Sequence, residues 1–195
     1  LKIGDELVGY TLIDTTYDKA TKSNKLLFDH IKTGAKVLVI DNNDVNRGFS
    51  IKFNTPPDNR GNNHILEHSV LGGSEKYPSK NLIFDITNTT YVSFVNAITY
   101  PNMTMYPITS QNEEQLYRTA DIYLDAVFNP LILKDERIFE REGWRYDINQ
   151  ETMGLVYNGI VYNEMQGNMG NITSVALSNG GKAIFPDTDQ GNNAC

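Results

Sequence analysis

A short run, NNHILEHSVLGG at positions 62–73, restricts the fold of this chain more than any other stretch. It contains two of the three histidines, His64 and His68, four residues apart with Glu67 between them. Side chains at i and i+4 share one face of a helix, and position i+3 leans toward the same face. We therefore predict a short helix, capped by one of the two leading asparagines and ended by the paired glycines.

This arrangement indicates a metal site. Two imidazole nitrogens suit zinc, and a catalytic zinc usually has three protein ligands and a water. Glu67 suits the role of a general base that takes a proton from zinc-activated water. Alternatively, His64 and His68 are ordinary exposed helix residues and Glu67 pairs with a neighbouring charge. His30, on a predicted strand without partners, is not expected to bind metal.

The third ligand is expected to be a carboxylate. Glu164 is the only acidic residue in GIVYNEMQG, an otherwise uncharged predicted helix, and a buried carboxylate needs a partner such as a cation. Alternatively, Glu164 faces water. The other downstream candidates, most of which lie among charges or at a helix start, are Glu113, Glu114, Glu136, Glu140, Glu142 and Glu151.

The opening stretch of the chain is predicted to be mostly sheet. Residues 26–40 form two strands around a turn at 32–34, and the alternating apolar residues of 48–55 predict a third strand. The run TTYVSFVNAIT at 89–99 also suits a strand. Strands that are followed by helices indicate an α+β fold, with helices packed on one face of a mostly antiparallel sheet.

Four more helices are predicted. One lies within 80–88, and the clearest follows a capping-box sequence at Ser110 and runs to Pro130. Another covers Lys134 to Glu142, and the last opens at 158–159, although the apolar run before it also fits a strand.

Composition excludes several classes of function. The net charge of -7 argues against nucleic acid as a partner, because binding phosphates requires a basic surface. No run approaches the roughly 18 apolar residues of a membrane helix, so a soluble chain without membrane insertion is expected. The single cysteine, Cys195, excludes an internal disulfide and a CxxC zinc site.

Several linked motifs carry a family resemblance. They are TPPDNRGNNHILEHSVLGGSEKYPSKN, SFVNAITYPNMTMYP, YLDAVFNP, FEREGW and YNGIVYNEMQG. In order and spacing, these motifs resemble the start of the presequence protease and falcilysin group, within the pitrilysin and insulin-degrading enzyme superfamily, whose H-x-x-E-H signature is the inverzincin motif. The match covers about residues 26 to 187, and LGGS replaces the LCGS common in the group.

The resemblance implies one Zn²⁺ per domain, bound by His64, His68 and Glu164, with Glu67 as the catalytic base. The domain is then expected to be a zinc metalloendopeptidase domain of the pitrilysin type that hydrolyses short unstructured peptides. Two alternatives stay open: a non-catalytic peptide-binding or scaffold relative, and a lyase similar to S-ribosylhomocysteinase. The lyase has a similar helix but uses cysteine as a ligand.

The resemblance also implies substrate-binding residues. The segment that matches FVNAIT is an edge strand in the family, so Asn96 and Ala97 would align an extended peptide by strand addition. Alternatively, Asn96 is a polar residue of a turn or strand end. Glu142 is a candidate partner for a ligand histidine, because such histidines usually donate their second ring N–H to a carboxylate or carbonyl.

The resemblance further implies an incomplete protein. Family members are long chains of several related domains, in which an arginine and a tyrosine from the distant C-terminal half polarise the scissile carbonyl. We therefore expect 1–195 to be a single, truncated N-terminal catalytic domain, with a lead-in segment at 1–25 and an irregular tail at 188–195. The C-terminal half of the parent would be its partner, and the isolated fragment would be weakly active or inactive. The compartment would be cytoplasmic in a bacterium, or an organellar matrix in a eukaryote.

Overall fold

The computed structural model describes residues 1–188 and Gly191, which fall into two compact units. The first unit is Leu1–Val45, and the second begins at Asn46. The irregular tail predicted at 188–195 lies outside the described residues apart from Thr188 and Gly191, and Cys195 lies outside them as well.

The first unit is a four-stranded antiparallel sheet in the order β1-β2-β3-β4. The predicted hairpin is confirmed in β3 and β4, and its turn contains Gly34 at a φ of 68°. The predicted lead-in contains two further strands that extend this sheet. The strands are β1 (Glu6–Leu7), β2 (Tyr10–Asp18), β3 (Ser23–His30) and β4 (Lys36–Asp41).

The main sheet of the second unit is built around one central strand, β8 (Met103–Ser110). It pairs antiparallel with β5 (Arg47–Asn54) on one side and with β6 (Phe94–Val95) and β7 (Ile98–Tyr100) on the other. Every second side chain of β8 is buried, which is the alternation expected of a strand with one face on a core. The antiparallel α+β class is therefore as predicted.

The strand predicted across 89–99 is shorter than expected and is divided into β6 and β7, since residues 90–93 lie outside any strand and Thr89 is the last residue of helix α2 (Leu82–Thr89). At the break, the side-chain Oδ1 of Asn96 accepts a hydrogen bond from the backbone N–H of Ala97 at 2.9 Å. Such local bonds compete with sheet pairing. The hydroxyl of Tyr123 also donates to the carbonyl oxygen of Asn96 at 3.2 Å.

Helix α3 (Glu113–Phe128) supplies much of the core over this sheet. Its cap is Asn112, whose Oδ1 accepts from the backbone N–H of Gln115 at 3.0 Å. The capping box predicted at Ser110 is therefore wrong: the Ser110 hydroxyl instead donates to the carbonyl oxygen of Tyr91 and accepts from the Asn112 N–H.

The remaining helices follow the predicted order with shifted ends. The predicted helix from Lys134 begins only at Arg137, because Leu131–Leu133 forms a separate 3₁₀ turn. A two-stranded sheet of β9 (Arg145–Ile148) and β10 (Leu155–Asn158) and the helix α6 (Ile172–Ile184) were not predicted, although a strand before 158 was an open alternative. The other helices are α1 (Asn62–Val70), α2 (Leu82–Thr89), α4 (Arg137–Glu142) and α5 (Ile160–Met169).

Candidate metal centre and active site

Helix α1 carries the histidine motif, as predicted, but its start differs from the prediction. Neither leading asparagine caps it; the cap position is Gly61, which has a left-handed φ of 77°. The Asp58 carboxylate accepts from the backbone N–H of Asn62, and the helix ends at Val70, before the two glycines. Glycine suits this start because other residues rarely adopt a positive φ.

The structure brings three predicted ligand residues together. The Nε2 atoms of His64 and His68 lie 3.8 Å and 3.6 Å from Oε2 of Glu164. One potential ligand atom from each residue lies within 4.8 Å of the others. Tetrahedral zinc with bonds of about 2.0–2.1 Å separates its ligand atoms by roughly 3.4 Å. The donor set and its spacing therefore fit a zinc ion.

Glu164 reaches this position from the exposed side of α5. Its side chain is 46% exposed, so the expectation that burial forces it to bind a cation is wrong. Its place follows instead from the contact between α1 and α5. Helix α5 begins beside the backbone of Gly143, where a Cβ at Gly159 would meet the Gly143 carbonyl oxygen at 2.1 Å. Glycine at 159 is therefore required for this approach.

Glu67 lies beside the ligand group and is 5% exposed. Its Oε2 accepts a hydrogen bond from the hydroxyl of Thr99, on β7, at 2.7 Å. Its Oε1 has no hydrogen-bond partner within the described part of the chain and is not fully enclosed. Glu67 and Thr99 both line a cavity of about 930 Å³ that also contains the three ligand residues. The Thr99 contact was missed from sequence.

Glu142 lies behind His68. Its Oε2 is 3.4 Å from Nδ1 of His68, and its Oε1 accepts from Nε of Arg141 at 2.7 Å. Burial alone would raise the pKa of Glu142, but its contacts with His68 and Arg141 outweigh burial and lower that pKa. Glu142 is thus held as a carboxylate next to the ring nitrogen that faces away from Glu164.

The charges around His68 favour a cation. Burial alone would lower the pKa of His68, but its contact with Glu142 and the charges of Glu67, Glu142 and Glu164 raise it overall. The carboxylates that stabilise a protonated imidazole by their negative charge would also stabilise a metal ion.

Asn96 and Ala97 form part of the cavity wall. They lie at the break between β6 and β7, and the backbone N–H of Asn96 donates to the carbonyl oxygen of Pro107 on β8 at 3.1 Å. Among the residues with described positions, no strand pairs with the outer side of β6 and β7. An edge of this kind offers free backbone groups to an extended ligand.

The other candidate residues lie elsewhere. His30 contacts the Thr33 hydroxyl at 2.7 Å in the first unit, and Glu113 forms an ion pair with Arg47. Apart from Glu142 and Glu164, none of the downstream glutamates considered from sequence lines the cavity in the described structure. Of these glutamates, only Glu142 and Glu164 are therefore placed where they could act on a bound metal, within the described residues.

Known proteins resemble the chain in sequence. A family model described as Insulinase (Peptidase family M16) matches residues 52–173. Presequence protease 1, chloroplastic/mitochondrial, of Arabidopsis thaliana is 42% identical over 163 residues, which is 83% of this chain and 15% of the relative. Protein HypA of Clostridium perfringens is 44% identical over 164 residues, which is 84% of this chain and 17% of the relative. The mitochondrial presequence protease of Saccharomyces cerevisiae is 39% identical over 161 residues, which is 80% of this chain and 16% of the relative.

The fold is similar to that of a crystal structure of pitrilysin, with a TM-score of 0.55 and 23% sequence identity over 66% of this chain and 14% of that one. The chain spans between 15 and 17% of the length of the three relatives above. Within the described residues, no helix is both long and apolar enough to cross a membrane. Because the family model extends over both the histidine motif and Glu164, the chain belongs to the insulinase family of peptidases, M16.

Proposed function

We propose that this chain is part of a zinc metalloendopeptidase that cleaves short, unstructured peptides. The observation that carries the proposal is the convergence of His64, His68 and Glu164, whose ligand atoms lie within 4.8 Å of one another. The names of two relatives as presequence proteases support a peptide substrate.

In this proposal, His64, His68 and Glu164 hold the ion. Zinc, when bound, supplies Lewis-acid activation of water and of the scissile carbonyl. Glu67 accepts the proton of the attacking water at Oε1 and then donates it to the leaving amine. Its low exposure supports this role, because a water-poor environment strengthens the electrostatic contribution of a fixed carboxylate.

The open edge of β6 and β7 suits an extended peptide. Strand addition there would place the peptide against Asn96 and Ala97, in the cavity that also contains Glu67. Main-chain hydrogen bonds supply affinity in this mode without requiring particular side chains. The proposed substrate class is therefore defined by an extended backbone more than by sequence.

The remaining catalytic groups would come from other parts of a longer parent protein. The family resemblance implies an arginine and a tyrosine from the C-terminal half, which polarise the scissile carbonyl. The much greater length of the relatives supports this division of the site.

The test is the Glu67→Gln variant of the full-length parent protein, assayed with a short quenched fluorescent peptide. We expect cleavage to fall by about a hundredfold or more, since a general base contributes roughly 10²–10⁴ in rate. Zinc content should stay unchanged because Glu67 is not a proposed ligand. Glu114→Gln, at an exposed position on α3, is the matched control and should cleave normally. Undiminished cleavage by Glu67→Gln would refute the mechanism.

A further inference from the structure

The hydroxyl of Thr99 makes the only side-chain hydrogen bond to Glu67 within the described residues. The Oγ1 to Oε2 distance is 2.7 Å, and both residues face the same cavity. Thr99 is half-buried at the middle of β7, whereas Glu67 belongs to α1. This bond therefore joins the edge of the sheet directly to the helix that carries the histidines.

We propose that Thr99 is a positioning residue that fixes the Glu67 carboxylate so that Oε1 is the oxygen presented to the reacting water. The inference rests on the proposed role of Glu67 as the base. Thr99 itself exchanges no proton with the substrate; it acts by occupying Oε2. A carboxylate with one oxygen engaged in this way has its second oxygen left as the acceptor.

Glu67 needs such a partner because its terminal torsion is poorly restrained. The χ3 torsion of a glutamate has a broad energy profile, so an unpartnered carboxylate rotates between orientations. A base that samples several orientations is correctly aligned for only part of the time, and a misplacement of about 1 Å can cost roughly a hundredfold in rate.

Thr99 is well suited as a fixed donor. Its backbone pairs with Thr104 of β8, and its β-branched side chain has few χ1 rotamers. On the far side, the hydroxyl of Thr104 lies 3.5 Å from that of Thr99. The donor is therefore held by the sheet rather than by a mobile loop.

The same strand also belongs to the edge proposed to accept the peptide. Thr99 lies two positions after Ala97, on the strand that follows the break. A peptide that pairs along this edge would restrict the backbone of Thr99 and, through its hydroxyl, the orientation of Glu67. Binding of the substrate backbone and alignment of the base would thus depend on one residue.

The experiment compares Thr99→Val and Thr99→Ser in the full-length parent, with a short quenched fluorescent peptide as the substrate. Thr99→Val keeps the shape but removes the donor, so kcat should fall about tenfold or more while KM changes less than about twofold. Thr99→Ser keeps the donor and should recover most of kcat. Thr109→Val, which removes a hydroxyl on β8 that contacts Ser93, is the control and should retain normal kcat.

Two further measurements separate positioning from a general structural role. Zinc affinity, measured by competition with a chelator, should be the same in Thr99→Val and the wild type. A crystal structure of Thr99→Val should contain the Glu67 carboxylate in more than one orientation, and that of Thr99→Ser in a single one. If Thr99→Val does not fold, Thr99→Ala takes its place as the variant without a donor.

The proposal is wrong if the variant without the hydroxyl keeps wild-type kcat, or if its zinc affinity falls in parallel with kcat. It is also wrong if Thr99→Ser is as impaired as Thr99→Val. Activity in Glu67→Gln would overturn the proposed function itself. An inactive Glu67→Gln combined with a fully active Thr99→Val would overturn only the role of Thr99.

Discussion

Nδ1 of His68 lies 3.4 Å from Oε2 of Glu142, while Nε2 of the same ring lies 3.6 Å from Oε2 of Glu164. The two nitrogens of one imidazole thus face two carboxylates that come from different helices, α4 and α5. A carboxylate at Nδ1 fixes the tautomer and orientation of a ligand histidine. Arg141 in turn holds Glu142 through a 2.7 Å hydrogen bond to Oε1.

We therefore predict that Glu142→Ala weakens zinc binding. Loss of such a partner typically costs about 10–100-fold in metal affinity, because the ligand ring is no longer held in its binding orientation. The measurement is competition with a chelator, with circular dichroism to verify folding. Glu140→Ala, on the same helix but exposed, should bind zinc normally. Unchanged affinity in Glu142→Ala would mean that His68 needs no partner.

The isolated 195-residue chain is predicted to bind zinc but to cleave peptides poorly. The three proposed ligands are all in this chain, whereas groups that polarise the scissile carbonyl are expected elsewhere in the parent. Loss of one such group costs about 10²–10³ in kcat. Zinc content and peptide turnover of the chain, measured beside the full-length parent, provide the test. Turnover close to that of the parent would contradict this prediction.

Tyr123→Phe is predicted to destabilise the second unit by about 1 kcal/mol, the net value of a typical buried hydrogen bond. Tyr123 is fully buried, and its hydroxyl is bonded to the Asn96 carbonyl at the strand break. Burial raises the pKa of Tyr123, so the hydroxyl stays protonated and acts as a donor. The measurement is the free energy of unfolding in denaturant. The control is Tyr117→Phe, at an exposed position on α3, which should change this free energy by less than about 0.5 kcal/mol. Equal effects of the two changes would argue against a role for the Asn96 contact.

The stability of the hairpin of β2 and β3 is predicted to decrease at low pH, because Asp18 becomes protonated. The hydrogen bond from Lys25 is the main cause that lowers the pKa of Asp18 from 3.8 to about 2. Since the unfolded chain then binds the proton more readily, Asp18 adds stability above pH 3.8 and loses this contribution as the pH falls through about 2. Lys25→Met should move the pKa of Asp18 toward 3.8, as read from an NMR titration of its carboxyl carbon.

Lys19→Met, which removes an exposed lysine from the same hairpin, is the control for that titration and should leave the pKa of Asp18 low. If the pKa of Asp18 stays near 2 in Lys25→Met, the prediction is wrong, and the backbone N–H groups of residues 20 and 21 are sufficient to keep this pKa low.

Features set by local periodicity could be predicted from sequence. The spacing of His64 and His68 gave the helix α1, and the apolar repeat of 113–128 gave α3. Helix α6 has two adjacent glycines in its interior and no buried residue, so no apolar face indicated it. At the break, the carbonyl oxygen of Asn96 also accepts a hydrogen bond from the Tyr123 hydroxyl, which only tertiary packing brings there.

In the candidate site, too, local patterns predicted some features, whereas others depend on contacts across the fold. Glu164 was singled out by its uncharged surroundings, yet the side chain is half exposed, and the contact of α1 with α5 explains its position better. Thr99 could not be found from a local pattern, because its partner Glu67 lies on a distant segment. Contacts across the fold require the register of β7 on β8, which the hydrophobic pattern of 89–99 alone does not fix.

The break between β6 and β7 also bears on how copies of this molecule meet one another. A long, flat, unpaired strand is a template for aggregation, because a second copy can continue the sheet along it. Here the open side is divided into pieces of two and three residues. Each piece is too short to hold an identical strand in stable register, whereas a flexible ligand can bend across the interruption. The interruption that leaves this edge open to a peptide therefore also makes the same edge a poor template for a second copy of the chain.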